Sequence, residues 1–181
     1  MKPRILILPG WQNSGPAHWQ SRWEALHGDE RVEQADWQRP LRGDWMARLD
    51  AVLRDDAQAR PAVLVAHSLG CHLVAAWAAH SQLVARVQAA LLVAPPDPEQ
   101  ADFPLDLHNW RVPLRQRLPF RATLVASSDD SYCTLERAGG FASDWGASLV
   151  LAGARGHLNG ESGLGDWPEG RALLEALLDE R

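Results

Sequence analysis

The chain has 181 residues, 46% hydrophobic and 23% charged, with 18 basic against 23 acidic side chains and a net charge of −5. That length suits one domain over residues 1–181, large enough to bury a core without disulfides or metal. The composition excludes a disordered, collagenous or coiled-coil chain, the acidic balance disfavours nucleic acid as a partner, and no basic run is present to hold an anionic membrane.

In chain order, short apolar runs alternate with longer amphipathic stretches. The first run is residues 5–8, Ile5-Leu6-Ile7-Leu8. Four apolar residues are too few for a signal-peptide core, and no later run approaches the ~20 needed to span a bilayer. Residues 17–26 place Trp19, Trp23 and Leu26 on one helical stripe. Residues 32–37 form a mixed run that reads as a half-exposed edge strand. Residues 45–53 set Trp45, Leu49, Val52 and Leu53 on a second helical face. The run 62–66 precedes an alanine-rich apolar stretch, 69–79, expected as a buried helix. The runs 89–94, 122–126 and 148–151 are nearly all apolar, as strands covered on both faces should be. Residues 134–144 make a weaker helix, interrupted by Gly139 and Gly140. Residues 171–178 close the series with Leu173, Leu174, Leu177 and Leu178 inward. Residues 95–119, rich in proline and charge, predict a loop across the mouth of a site. Strand and helix alternate throughout, so the expected class is α/β: about six mostly parallel strands with helices on both faces.

The strongest local signal is the run from Ala62 through Ala66, His67, Ser68, Leu69, Gly70 and Cys71. A buried strand passes through small-x-Ser-x-small straight into a helix, the nucleophile-elbow pattern, with Ala66 in place of the first glycine. So tight a turn needs small residues two before and two after the serine. It also lifts the hydroxyl to a helix N-terminus, where free amides favour negative charge. The Leu69 amide would then face a developing oxyanion. A plain serine N-cap is the simpler explanation of the same residues.

A serine nucleophile needs a base and an orienting acid, in the order Ser, acid, His on this type of fold. Asp129 and Asp130 follow the run 122–126, and His157 follows the run 148–151. Three groups in that order, each just past its own strand, are far more specific than any one alone. Either aspartate fits this reasoning. The second oxyanion donor should come from the loop after the first strand, where Gly10 permits a tight turn. The Trp11 amide is the natural donor and Gln12 the second choice. Pro16 stands where a phosphate loop requires lysine, so that reading fails. Paired metal-ligand spacing is absent, and no cofactor or metal is expected. Cys71 and Cys133 cannot form a disulfide framework or a four-ligand zinc site by themselves. Two such thiols point to a reducing, cytoplasmic setting. Nine tryptophans beside three phenylalanines and one tyrosine fit either a cleft or the core. Gln12 and Trp110 are the candidates for contact with substrate.

The chain resembles the small α/β-hydrolases that include retinoblastoma-binding protein 9 and the bacterial YdeN-like proteins. The similar residues are Leu8-Pro9-Gly10-Trp11, Ser14 to Gln20 with Trp23, Ala66 to Gly70, Ser128-Asp129-Asp130, Gly156 to Asn159, and Ser162 to Gly170. The resemblance implies a capless, minimal α/β-hydrolase fold and a triad of Ser68, Asp130 and His157. It further implies a serine hydrolase with weak esterase activity on model esters. The protein partner of the human relative is not carried over, since no such binding motif is found here. The expected activity is cleavage of an ester, amide or thioester of a small acyl substrate through an acyl-enzyme. The alternative is a non-catalytic protein-binding module on a hydrolase fold. A perhydrolase or lyase on the same triad is a third reading.

Overall fold

The computed structural model describes residues 2–179. Six strands form one sheet: β1 (Arg4–Leu8), β2 (Glu30–Arg31), β3 (Ala62–His67), β4 (Val87–Val93), β5 (Arg121–Ala126) and β6 (Ser148–Leu151). Five helices accompany them: α1 (Trp19–His27), α2 (Arg42–Arg54), α3 (Leu69–His80), α4 (Leu135–Trp145) and α5 (Pro168–Asp179). Strand order is β2-β1-β3-β4-β5-β6, and every pairing is parallel. The chain leaves β1 toward one edge and returns to add β3 on its other side. This reversal of direction opens a crevice beyond the carboxyl ends of the strands, where open α/β sheets place their sites.

The period-two alternation of the strands divides the core into two layers. Leu6, Leu8, Leu64, Ala66, Leu92 and Leu124 face α2, α3 and α4. Ile5, Ile7, Val63, Val65, Leu91 and Val125 face α1 and α5. Six tryptophans, Trp19, Trp23, Trp45, Trp77, Trp110 and Trp145, are fully buried. Each also places its indole N–H on an oxygen acceptor, as a buried tryptophan must to avoid an unpaired donor. Trp23 donates to the Asp166 carbonyl at 2.7 Å, Trp145 to the Leu114 carbonyl at 2.7 Å and Trp77 to the Asp50 carboxylate at 2.6 Å. The tryptophans thus tie helices to loops as well as filling space.

Four expectations are corrected. The edge strand is Glu30–Arg31, not residues 32–37. Its two residues are charged: Glu30 pairs with Arg4, and Arg31 bonds Glu24, Asn13 and Ser21. Val32 is buried just beyond it, and the chain then turns irregular. The last strand, β6, is not covered on both faces: it forms the opposite edge, with Leu149 and Leu151 exposed. Leu26 lies near the end of α1 and is exposed rather than part of its buried stripe. Gly139 and Gly140 do not interrupt α4, whose Ala138, Phe141, Ala142 and Trp145 face inward and carry the helix across them. No helix among the described residues is long and apolar enough to cross a membrane.

Candidate active site

Ser68 stands between β3 and α3 with φ 55° and ψ −124°, a region costly for any residue with a side chain. Neighbouring contacts hold it there. The Ser68 amide donates to the Val93 carbonyl at 2.9 Å, and its own carbonyl accepts from Cys71 at 2.9 Å. Position 70 must be glycine because a Cβ there would sit 2.3 Å from the Leu8 carbonyl oxygen. Ala66, two residues before the serine, is wholly buried between β1 and β4. The small residues read in the sequence therefore serve close backbone approach around a strained serine.

His157 follows β6 and brings its Nε2 within 2.9 Å of Ser68 Oγ. Its Nδ1 lies 2.8 Å and 3.0 Å from the two carboxylate oxygens of Asp130. A carboxylate only accepts, so Nδ1 carries the proton and Nε2 is free to accept from the serine hydroxyl. The Tyr132 ring packs on the imidazole with centroids 4.5 Å apart, and the Tyr132 amide donates to Asp130 at 2.9 Å.

Asp129 has a different task. Its Oδ1 accepts from the Ser127 hydroxyl at 2.8 Å and from the Gly156 amide at 2.7 Å. These two bonds hold its carboxyl below the usual range. Ser127 Oγ in turn accepts from the Arg155 amide at 2.9 Å. Asp129 and Ser127 thus fasten the loop after β5 to the loop that carries His157. Trp19 adds a third tie from α1, donating its indole N–H to the Leu158 carbonyl at 2.8 Å.

The loop after β1 approaches the elbow closely at Gly10, where a Cβ would meet Ser68 Cβ at 2.8 Å. The Gln12 amide is already committed to the Trp37 carbonyl at 2.9 Å. The amides of Trp11 and Leu69 make no hydrogen bond with the described residues. Both belong to the segments that meet at the Ser68 turn, where Gly10 approaches Ser68 and Leu69. The cleft over the serine measures about 590 Å³, within the usual range for small-molecule sites. Trp11, Gln12 and Tyr132 line it. Phe103, Pro104 and Leu107, from the proline-rich stretch after β4, supply an apolar wall, so that stretch does cross the mouth of the site. Trp110 does not reach the cleft: it is buried against Trp45, with its indole N–H on the Pro40 carbonyl at 2.8 Å. An indole's size and hydrophobicity suit a core as well as a cleft, and here the core takes it.

Cys71 is buried, and burial raises its thiol pKa well above the ordinary value, which leaves it a packing residue. Sequence reasoning did not find the parts played by His67 and His18. His67 is buried one residue before the serine, with its Nε2 2.9 Å from the His157 carbonyl. Its Nδ1 lies 3.3 Å from Nε2 of His18. These contacts join positions far apart in the chain and leave no local pattern.

Comparison with known proteins bears on the family and the fold. No curated protein matches the chain in sequence. Among solved structures, a YdeN-like hydrolase from Pectobacterium atrosepticum is 26% identical, with 97% of this chain and 92% of that one covered and a TM-score of 0.84. The YdeN protein of Bacillus subtilis is 19% identical over 99% and 100% of the two chains, with a TM-score of 0.71. A carboxylesterase of Bacillus subtilis is 13% identical over 99% and 84%, with a TM-score of 0.66; likeness at these lower identities concerns the fold. Residues 5–176 match the model of a family described as serine hydrolase. The chain therefore belongs to the serine hydrolase family and carries a minimal α/β-hydrolase fold.

Proposed function

We propose that this protein is a carboxylesterase-like hydrolase that works through an acyl-enzyme on Ser68. The observation that carries the reading is the continuous relay from Ser68 Oγ through His157 to Asp130, with contacts of 2.9 Å and 2.8 Å. Ser68 Oγ attacks the acyl carbonyl while His157 Nε2 takes its proton. The carbonyl oxygen becomes an oxyanion received by the amides of Trp11 and Leu69. Collapse expels the leaving group, which takes the proton back from His157. Water then repeats the sequence on the acyl-serine and regenerates the enzyme. Asp130 holds the imidazole in its working tautomer and stabilises the imidazolium.

The cleft supports a small uncharged acyl group. Phe103, Pro104 and Leu107 offer apolar contact, and among the described residues neither arginine nor lysine lines the space to pair an anion. The carboxylesterase structure with the same fold is consistent with ester chemistry. Labelling with a fluorophosphonate, followed by mass spectrometry, tests the reading. Wild type is expected to carry the adduct on Ser68, and Ser68→Ala none. A folded wild type that stays unlabelled refutes it, and the non-catalytic reading then takes its place.

A further inference from the structure

Two buried histidines stand behind the proposed relay and take no part in its chemistry. His18 N-caps α1, with its Nδ1 accepting the Gln20 amide at 3.1 Å. Its Nε2 faces Nδ1 of His67 at 3.3 Å, and His67 Nε2 faces the His157 carbonyl at 2.9 Å. The two ends fix every proton between them. An amide can only donate, so His18 Nδ1 accepts and its proton sits on Nε2. A carbonyl can only accept, so His67 Nε2 carries a proton and its Nδ1 is left to accept from His18. One arrangement of two neutral rings satisfies all four nitrogens. Burial favours those neutral forms, drawing the His18 pKa down to about 3 and that of His67 well below its ordinary value.

We infer that His67, locked into one tautomer by His18, is a positioning residue that sets the height of His157 above the nucleophile. Its backbone is the last residue of β3, adjacent to Ser68, while its side chain grips the main chain of the base. Nucleophile and base are therefore gauged from the same two residues of backbone. His157 is held at its carbonyl by His67 and at its ring by Ser68 and Asp130. Both histidines must stay uncharged, because the His67 ring centroid lies 5.0 Å from that of His157 and a cation there would oppose the imidazolium. The inference rests on the relay proposed above.

The test compares His67→Phe, which keeps a flat ring without the N–H, with His67→Gln, whose amide N–H occupies nearly the place of Nε2. Two readouts are used: the fluorophosphonate labelling rate of Ser68, and the low-field proton resonance of the His157–Asp130 hydrogen bond. His67→Phe is expected to slow labelling roughly 10- to 100-fold, as small misplacements of reacting groups do, and to weaken or shift the resonance. His67→Gln is expected to restore most of both. A folded His67→Phe that labels at the wild-type rate with its resonance unchanged overturns the inference. So does a His67→Gln as slow as His67→Phe, since ring packing would then explain the loss. Should His67→Phe fail to fold, His67→Asn carries the test: its shorter side chain cannot bring an amide N–H to the His157 carbonyl, and a wild-type labelling rate there counts against the inference. If the wild-type protein does not label at all, the esterase reading fails by itself. The resonance needs no turnover and still decides whether His67 positions His157.

Discussion

Gly10→Ala places one methyl group at the closest approach between the loop after β1 and the nucleophile turn. The new Cβ would lie 2.8 Å from Ser68 Cβ and 3.1 Å from both the His67 carbonyl oxygen and the Leu69 amide nitrogen. Carbon atoms in contact prefer 3.5–4.0 Å, so the overlap with Ser68 is about 1 Å. All three atoms belong to the turn itself, where no flexible side-chain end can move aside. The loop must retreat, and the Trp11 amide retreats with it. A donor that should sit 2.7–3.1 Å from an oxyanion then stands about 4 Å away and is lost. Loss of one such donor costs about 10²–10³ in kcat, equivalent to about 2.7–4 kcal/mol. The ground-state ester makes little use of that amide, so KM should change little. Overpacking should also lower stability by about 1–3 kcal/mol. Steady-state hydrolysis of a chromogenic short-chain ester measures the first effect, and urea unfolding the second. A Gly10→Ala protein within about threefold of wild-type kcat would refute the assignment of the Trp11 amide to the oxyanion.

Removing the nucleophile should separate chemistry from strain. Both Ser68→Ala and Ser68→Gly should abolish turnover, but the glycine form should be more stable by about 1 kcal/mol or more, because only glycine takes φ 55° freely; equal unfolding midpoints would contradict stored strain at the turn. The two neighbouring aspartates should differ sharply. Asp130→Asn should lower kcat by about 10⁴, as loss of the correct tautomer does in serine proteases, whereas Asp129→Ala should cost roughly 10- to 100-fold by loosening the loop; a reversal of that order would exchange their roles. Stability should fall as the pH drops below 6.5. His18 and His72 have folded-state pKa values lowered to about 3 and about 4, so the unfolded chain binds protons first and gains on the folded one. At pH 5 each such histidine costs about 2 kcal/mol, and unchanged urea midpoints between pH 7.5 and pH 5 would show that these rings are not buried neutral.

The inner strands and the nucleophile turn were legible because each rests on a local constraint. Buried parallel strands must be apolar along their whole length, and Ser68 must be flanked by small residues where Gly70 passes the Leu8 carbonyl. The helices with regular stripes were legible for a similar reason, since Trp45, Leu49 and Leu53 meet the core at helical spacing. The edges were not. Glu30–Arg31 has no apolar pattern, being held by ion pairs, and β6 has an apolar pattern without full burial. Trp110 was misplaced because an indole's composition carries no direction. The residue pattern alone left Asp129 and Asp130 open and only the resemblance pointed to Asp130, because which carboxylate meets a ring nitrogen and which meets the Gly156 amide is a property of the fold. The pairing of His18 with His67 spans 49 residues, and hydrogen bonds at that separation leave no periodic signature.

The sheet places the two reacting side chains on elements of very different strength. Ser68 directly follows β3, a strand flanked by β1 and β4, while His157 depends on β6, a four-residue edge strand paired, among the described residues, with β5 alone. Proteins open piecemeal, and short exposed edges open at lower free energy than central strands. Detachment of β6 would carry away the base while β1 to β5, α3 and the strained serine stayed assembled. On heating or in denaturant, activity should therefore disappear before the bulk of the secondary structure melts. The working range of this hydrolase is set by its thinnest margin, and strengthening the edge would extend that range without touching the core.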